Sequence, residues 1–585
     1  MFDHLVAPLI KDIPGLLELQ PDEGTSLDFQ APVAMTVNEF PVVLERAVQL
    51  PFAPELEKLK TTERLKARLE HNLIFASGGL PGDPSTYPRI PKLPTKVFGA
   101  SGAALIKTYL EDTPLLGLFD YSVPIHLPEE TRFQHHHIVA GSGHGKTQTL
   151  QHLILHDLEK VASGGSSIVV LDSQGDLINN VRKLALFEPG CEMAERLIII
   201  DPTDVEYPVA LNLFDVGMER INSYSQLDRE RMVNSVLELY DFVLGSLLDA
   251  QMTQKQSVIF RYITRLMLHI PGATIITLRE LLEDGGADKY REHINKLEGS
   301  AKAFFDTEFD SKEFVQTKRQ VVRRLWGILE NQTFERMFSH PKNKLDIFTE
   351  MNAGKVILIN TAKDLLKESG TEIFGRFFIA MIAQAAQERA IIPKDERMPT
   401  IVYVDEAQDY FDRNIGIILE QARKYKVGML LAHQYLGQLD NKLQEGVFAN
   451  TSIKFAGGVS AKDARSLAGE MRCDPYFVED VEPLSFAAFI RGTTKTSVKL
   501  FVPYGSMERL PQLSGEELQT QRATMRERYA THYQQTDSQH QASPNSENSD
   551  EGGSNNPISP IAKNGGGEKE SPQALNQSSD WPLDE

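Results

Sequence analysis

Ile138-Val139-Ala140-Gly141-Ser142-Gly143-His144-Gly145-Lys146-Thr147 is the stretch on which the reading of this 585-residue chain turns. Ile138-Val139 supplies a short β-branched strand, and residues 147–158 have helical spacing, so the small residues between them turn a strand into a helix. Successive small residues let backbone N–H groups curl around a phosphate, and the following helix aims its positive end at the same charge. This is a P-loop, with Ala140 standing where the first glycine often is. The spacing assigns Gly141, Ser142, Gly143, His144 and Gly145 to the phosphate cradle, Lys146 to the β- and γ-phosphates, and the Thr147 hydroxyl to Mg²⁺. ATP and Mg²⁺ are the expected ligands. The alternative is a glycine-rich turn with no ligand, and the flanking strand and helix weigh against it.

A P-loop needs a partner carboxylate on a neighbouring strand. Ile401-Val402-Tyr403-Val404 followed by Asp405-Glu406 offers β-favouring residues and then paired acids at the strand's carboxyl end, where open α/β sheets bind ligands. Asp405 would hold Mg²⁺ through water together with Thr147, and Glu406 would polarise the attacking water. Alone, an apolar strand ending in Asp-Glu is often structural; downstream of a P-loop it reads as catalytic. Gln434, after the next apolar run, could sense the γ-phosphate or be a surface amide at a strand end. Arg423, on the helix before that run, is the candidate finger reaching a neighbouring subunit's nucleotide, or else a solvated helix-face arginine. His433 could be a core histidine. His135-His136-His137 tempts a metal assignment, but strand neighbours face opposite ways and cannot converge on one ion, so a structural role is expected.

Outward from these motifs the chain divides into zones. Residues 1–130 form a mixed N-terminal accessory region with a helix expected over 55–71 and a proline-rich link from Pro81 to Pro94. In residues 131–215 strands (138–139, 167–171, 197–200) alternate with helices, which argues for a parallel sheet. The strand signal stops over residues 216–341, where 229–248, 254–269, 278–282 and 318–330 have helical spacing, so a helical insertion is expected. Strands resume in residues 342–513, at 355–360, 400–404, 428–432 and 452–455, with a hairpin over 487–504. Residues 514–585 begin as a charged helix and end as a Ser-, Asn-, Gln-, Gly- and Pro-rich tail too polar to order itself. Its last segment, from Ser579 to Glu585, contains Trp581 amid acids and is a candidate docking peptide or an inert solubilising end.

Composition sets outer limits. The formal charge of −20 weighs against a general DNA-coating protein but little against a machine that grips DNA inside a ring, because phosphates are held by local lysines and arginines. Lys318-Arg319 and Arg323-Arg324 are a candidate phosphate-contacting cluster in the insertion, or a solvated helix face. Two cysteines, Cys191 and Cys473, are too few for a disulfide framework and fit a reducing, cytoplasmic setting. The first residues show no signal-peptide pattern, and the apolar run 373–386 is too short and too polar to span a bilayer.

The order of residues 140–147, Leu171-Asp172-Ser173-Gln174-Gly175-Asp176-Leu177, Val404-Asp405-Glu406-Ala407 and 431–439 resembles the HerA–FtsK superfamily, in its branch of type IV secretion coupling proteins and conjugative DNA-transfer ATPases. Asp172, Gly175 and Asp176 match that branch's motif after the second strand, with Gln174 standing where the family has lysine. Gln434 and Arg423 match its strand-end glutamine and its trans-acting arginine. The resemblance covers residues 135–510. It implies an α/β, RecA-like P-loop core, mostly a parallel sheet flanked by helices, interrupted by an all-helical insertion. It also implies a hexameric ring of identical subunits that hydrolyses ATP to draw DNA through its channel. Family members anchored in membranes begin with transmembrane helices, and no such run is found here. An ATPase powering protein secretion or remodelling on the same core is a second reading, and a nucleotide-gated scaffold a third. Intact Lys146, Asp405 and Glu406 argue against the scaffold.

Overall fold

Aliphatic and β-branched runs that no polar residue interrupts must be covered on both faces, and that demand places the strands of this chain in the middle of a sheet. A computed structural model of the chain describes residues 28–33, 40–49, 52, 63–97, 102–248, 254–411 and 415–535. The strands are β1 (Asp28–Pro32), β2 (Ser122–His126), β3 (His136–Ala140), β4 (Ser167–Asp172), β5 (Leu197–Ile200), β6 (Val356–Asn360), β7 (Thr400–Val404), β8 (Val427–His433), β9 (Ile453–Gly457), β10 (Ser485–Ile490) and β11 (Val498–Phe501). They form one eleven-stranded sheet in the order β2-β1-β11-β10-β9-β3-β8-β7-β4-β6-β5. From β9 to β5 every neighbouring pair is parallel; β10, β11, β1 and β2 complete the sheet antiparallel. All residues of β3, β4, β5, β6, β7 and β8 are buried. This is a RecA-like P-loop core, with helices flanking a mostly parallel sheet.

β1 and β2 join the same sheet through a β1–β11 pairing at Gln30 and Phe501. Sequence patterning passes over them because each carries a proline, at Pro32 and Pro124. Proline lacks the donor a central strand needs, and both strands lie at the sheet's antiparallel margin, with β2 as the edge. In the same region the expected helix over 55–71 is found as Glu63–Ala76, and residues 53–62 lie outside the described residues. The tail and its candidate docking peptide also lie outside them.

Between β5 and β6 the described residues form helices and no strand, the longest being Gln226–Leu248, Gln254–His269 and Lys312–Leu329. The segment leaves and rejoins the core at one clasp. Asn212 donates its N–H to Asn343 Oδ1 at 2.7 Å, while Asn343 donates its own N–H to Asp215 Oδ2 at 2.8 Å and its amide to Asp215 O at 2.7 Å. The basic cluster of the insertion does not exist as one face. Lys318 is buried, with its ammonium 4.0 Å above the Phe309 ring and 2.5 Å from Asp310, and Arg319 pairs with Asp284 at 3.0 Å. Arg319, Arg323 and Arg324 are exposed, so the buried Lys318 is the member of the four that leaves the face the spacing promised.

The apolar run 373–386 lies in a helix, Lys363–Glu388, whose buried side packs against Gln226–Leu248. Among the described residues no helix is long and apolar enough to cross a membrane.

A buried ion pair ties the P-loop helix, Lys146–Ala162, to the sheet. Arg132 holds Asp157 through Nη1–Oδ1 at 2.5 Å and Nη2–Oδ2 at 2.9 Å, and the Tyr403 hydroxyl of β7 donates to Asp157 at 2.6 Å. Both charged side chains are 2% exposed. Burial alone would raise the Asp157 carboxyl, but the Arg132 guanidinium holds it below the ordinary range. Asp157→Ala strands that guanidinium in the interior, and denaturant unfolding is expected to show a loss of about 3–5 kcal/mol. A loss below about 1 kcal/mol, the scale of an exposed pair, would mean that the pair does not brace the core.

Candidate functional site

The parallel register sets the site. Val139 of β3 pairs with His433 of β8, and Val404 of β7 pairs with Leu431, so the loops after β3, β7 and β8 emerge at one edge of the sheet. Gly143 and Gly145 take left-handed conformations at φ 78° and 99°, which other residues adopt only with strain. Gly141 has no room for a side chain, since a Cβ there would stand 2.2 Å from the Gly458 carbonyl oxygen. Ser142 and Gly143 are exposed at the crest of the loop, and His144 packs against Gly458 behind it. Thr147 follows Lys146 in the first turn of the helix and is half-buried.

Lys146 joins the loop to the acids. Its Nζ donates to Asp405 Oδ1 at 2.6 Å and also to Glu406 Oε1. Gln434 donates its amide to the same Glu406 oxygen at 3.2 Å, and Gln408 donates to Glu406 Oε2 at 2.9 Å. The structure thus brings together Lys146, Asp405, Glu406 and Gln434. Glu406 itself is left-handed, at φ 50°, the kind of local strain that folds retain at working sites. Burial pulls the Lys146 ammonium down, and the two carboxylates outweigh it, so its pKa is raised. The acids diverge. Burial raises Asp405, helped by Asp172 and Glu406 and only partly opposed by Lys146. Burial also pushes Glu406 up, yet Lys146 with the amides of Gln408 and Gln434 holds it below its ordinary value.

Arg423 is not at this site in its own chain. It is exposed in the last turn of the helix Ile415–Lys424, before the amino end of β8, and the seven residues of β8 separate it from Gln434. At ~3.3 Å per residue that is roughly 20 Å, beyond the reach of an arginine side chain.

The histidines serve the framework. His135 donates from Nε2 to Leu419 O at 2.7 Å and accepts at Nδ1 from the Met429 N–H at 2.9 Å. His433 is buried, and its Nδ1 donates to Tyr435 O at 3.1 Å, which leaves its Nε2 to accept from His137 Nε2 at 2.7 Å. Burial pushes His135 and His433 down to about 4 and His137 well below its ordinary value, so all three are neutral near pH 7. The His137–His433 bond runs from the P-loop strand to the residue just before Gln434.

Several supporting residues were not legible as such. Asp172, buried, accepts the N–H groups of Gln174 and Leu177 at 2.9 Å each and so holds the turn in which Gln174 is exposed. Tyr410 bonds Thr361 at 2.8 Å, and Lys363 bonds Asp409 at 2.9 Å, bracing the turn that carries Glu406. Gln408, two residues past Glu406, has a signal in its spacing, and Asp172 in its motif; the Tyr410–Thr361 and Lys363–Asp409 contacts depend on distant parts of the chain.

These residues fit a nucleoside triphosphate with a divalent cation. Gly143 faces open space and, like Gly145, takes a backbone turn that exposes N–H groups to a phosphate. Lys146 is a cation beside the loop held by Asp405 and Glu406, and Thr147 with Asp405 offers the hard oxygen donors that Mg²⁺ prefers. Fold and loop together define a P-loop nucleotide-binding protein. A scan against protein-family models gives no match, and a search of curated proteins gives none either. Solved structures similar to the chain include the plasmid coupling protein TrwB in complex with ADP and Mg²⁺, at 15% identity and a TM-score of 0.45, covering 65% of this chain and 87% of that one. TrwB with the non-hydrolysable ATP analogue ADPNP is similar at 14% identity and a TM-score of 0.46, covering 66% and 89%. VirB4 of Thermoanaerobacter pseudethanolicus is similar at 12% identity and a TM-score of 0.33, covering 66% and 91%.

The depressed Glu406 carboxyl has a consequence for stability. A carboxylate whose folded pKa lies below its ordinary 4.5 stabilises the fold above that value, and the contribution is lost as pH falls through the folded pKa. The melting temperature of the nucleotide-free chain is therefore expected to exceed that of Glu406→Gln near neutrality, with the gap closing on acidification below about 4.5. A gap constant across that range would show that Lys146 does not hold the carboxyl down.

Proposed function

We propose that this chain is an ATP-hydrolysing motor of the conjugative DNA-transfer kind, acting in the cytoplasm as a homo-oligomeric ring, a hexamer, that translocates DNA. Residues 131–215 and 342–513 are its motor core and 216–341 an inserted helical domain. The observation that carries the ATPase reading is the Lys146 ammonium, 2.6 Å from Asp405 and bonded also to Glu406, at the end of a glycine cradle. The DNA reading is supported by the order of the motifs at residues 140–147, 171–177, 404–407 and 431–439.

In this reading Gly141 to Gly145 bind the phosphates of ATP through backbone N–H groups, and Lys146 leaves the acids for the β- and γ-phosphates. Mg²⁺ held by Thr147 and Asp405 supplies neutralisation of phosphate charge. Once Lys146 has turned away, Glu406 loses the ammonium that keeps its carboxyl low and becomes a better acceptor for the attacking water's proton. Gln434, bonded to Glu406, passes the loss of the γ-phosphate into β8. Arg423 completes the site of the adjacent subunit, since it cannot reach its own.

Lys146→Ala is expected to abolish ATP binding in a direct binding assay. Glu406→Gln is expected to bind ATP and turn over at least ~100-fold more slowly, the scale of loss at groups that stabilise developing charge; normal turnover would place catalysis elsewhere. Arg423→Ala is expected to assemble and bind ATP but hydrolyse it poorly, and mixing it with Lys146→Ala subunits is expected to restore part of the rate. Absence of rescue would make Arg423 structural.

The cargo is tested by steady-state ATPase rates with and without single- and double-stranded DNA at two salt concentrations. Stimulation that falls steeply with salt is expected. A rate indifferent to DNA and raised by a protein substrate would assign the motor to protein secretion instead.

A further inference from the structure

A triphosphate laid on this loop has a direction. Lys146 and its acids lie toward β8 and β7, so the γ-phosphate end points there, and the nucleoside end leaves on the opposite side, toward β9, β10 and β11. Two tethers border the loop on that side. Leu484 packs against Gly145, where a Cβ would stand 2.9 Å from its Cδ2, and its carbonyl accepts the Val502 N–H at 2.9 Å. Just beyond, the Gly505 N–H donates to Gln148 Oε1 at 2.6 Å, and Gln148 Nε2 donates to Glu508 at 3.1 Å. Gln148 follows Thr147 in the first turn of the P-loop helix.

Tyr504 sits between these tethers. Val502 and Gly505 are buried, Gly505 turns the chain at φ 70°, and the Tyr504 residue between them is 66% exposed. The segment is thus fixed to the nucleoside end of the phosphate cradle from both sides while presenting an aromatic ring to solvent.

We infer that Tyr504 is the platform on which the purine base of the bound nucleotide stacks, an inference that rests on the ATPase reading above. Stacking uses the face of the base and not its hydrogen-bonding edge, so Tyr504 strengthens ATP and GTP alike.

The test is equilibrium binding of the whole chain, in the presence of Mg²⁺, to ATP, GTP and inorganic tripolyphosphate, which has the phosphates but no base. Tyr504→Ala is expected to weaken ATP and GTP about tenfold, within the range for loss of one base–aromatic stack, and to leave tripolyphosphate unchanged. Tyr504→Phe is expected to bind all three as the unaltered chain does. Unchanged ATP affinity in Tyr504→Ala would overturn the inference. An equal loss for tripolyphosphate would also overturn it, by showing that the substitution disturbs the cradle itself. If the unaltered chain bound none of the three, the ATPase reading would fall and this inference with it.

Discussion

One side chain has to span two strand spacings. The lysine-bearing loop follows β3 and the acids follow β7, with β8 between them. Neighbouring strands lie ~4.8 Å apart, so the two ends are separated by roughly 10 Å, most of which an extended lysine covers. The contact exists only because β3, β8 and β7 are parallel and in a register that ends them at the same edge. A slip of one residue in β7 would turn Asp405 from the cleft to the opposite face. The Arg132–Asp157–Tyr403 cluster fixes this arrangement from beneath, since it joins the helix that follows the loop to the strand that carries the acids.

Given that spacing, the adjacent acids acquire different characters from their surroundings. Both are buried, but Asp405 lies near Asp172, so burial and like charge dominate it, whereas Glu406 is surrounded by an ammonium and two amides. Adjacent carboxyls whose environments push their acidities apart are suited to separate tasks, one holding a cation and the other handling a proton. The strained backbone of Glu406 is kept in place by the braces behind it, Tyr410 on Thr361 and Lys363 on Asp409.

Much of this was legible in the chain. The buried parallel strands announce themselves as apolar runs ending in glycine, Asp172 or Asp405, because a strand covered on both faces has no polar positions to blur the pattern. The P-loop and the paired acids share that clarity, since each is a contiguous motif. The marginal strands escaped because Pro32 and Pro124 argue against a strand unless its place at the margin is known. Leu484 and Gly458 could not be found at all: their closeness to the loop comes from the sheet folding residues 453–490 back beside β3. Lys318 was misread although the signal was present. It lies on the same helical stripe as Val321 and Leu325, both buried, so its stem was destined for the apolar side and its charge for Asp310.

The clasp of Asn212, Asp215 and Asn343 gives the helical segment the character of a cassette. A chain that exits and re-enters through hydrogen-bonded neighbours imposes no fixed length on what lies between, and lengthening such an excursion raises its closure cost only logarithmically. The sheet and the outlying helices are therefore free to diversify separately, with the clasp as the junction that both must preserve.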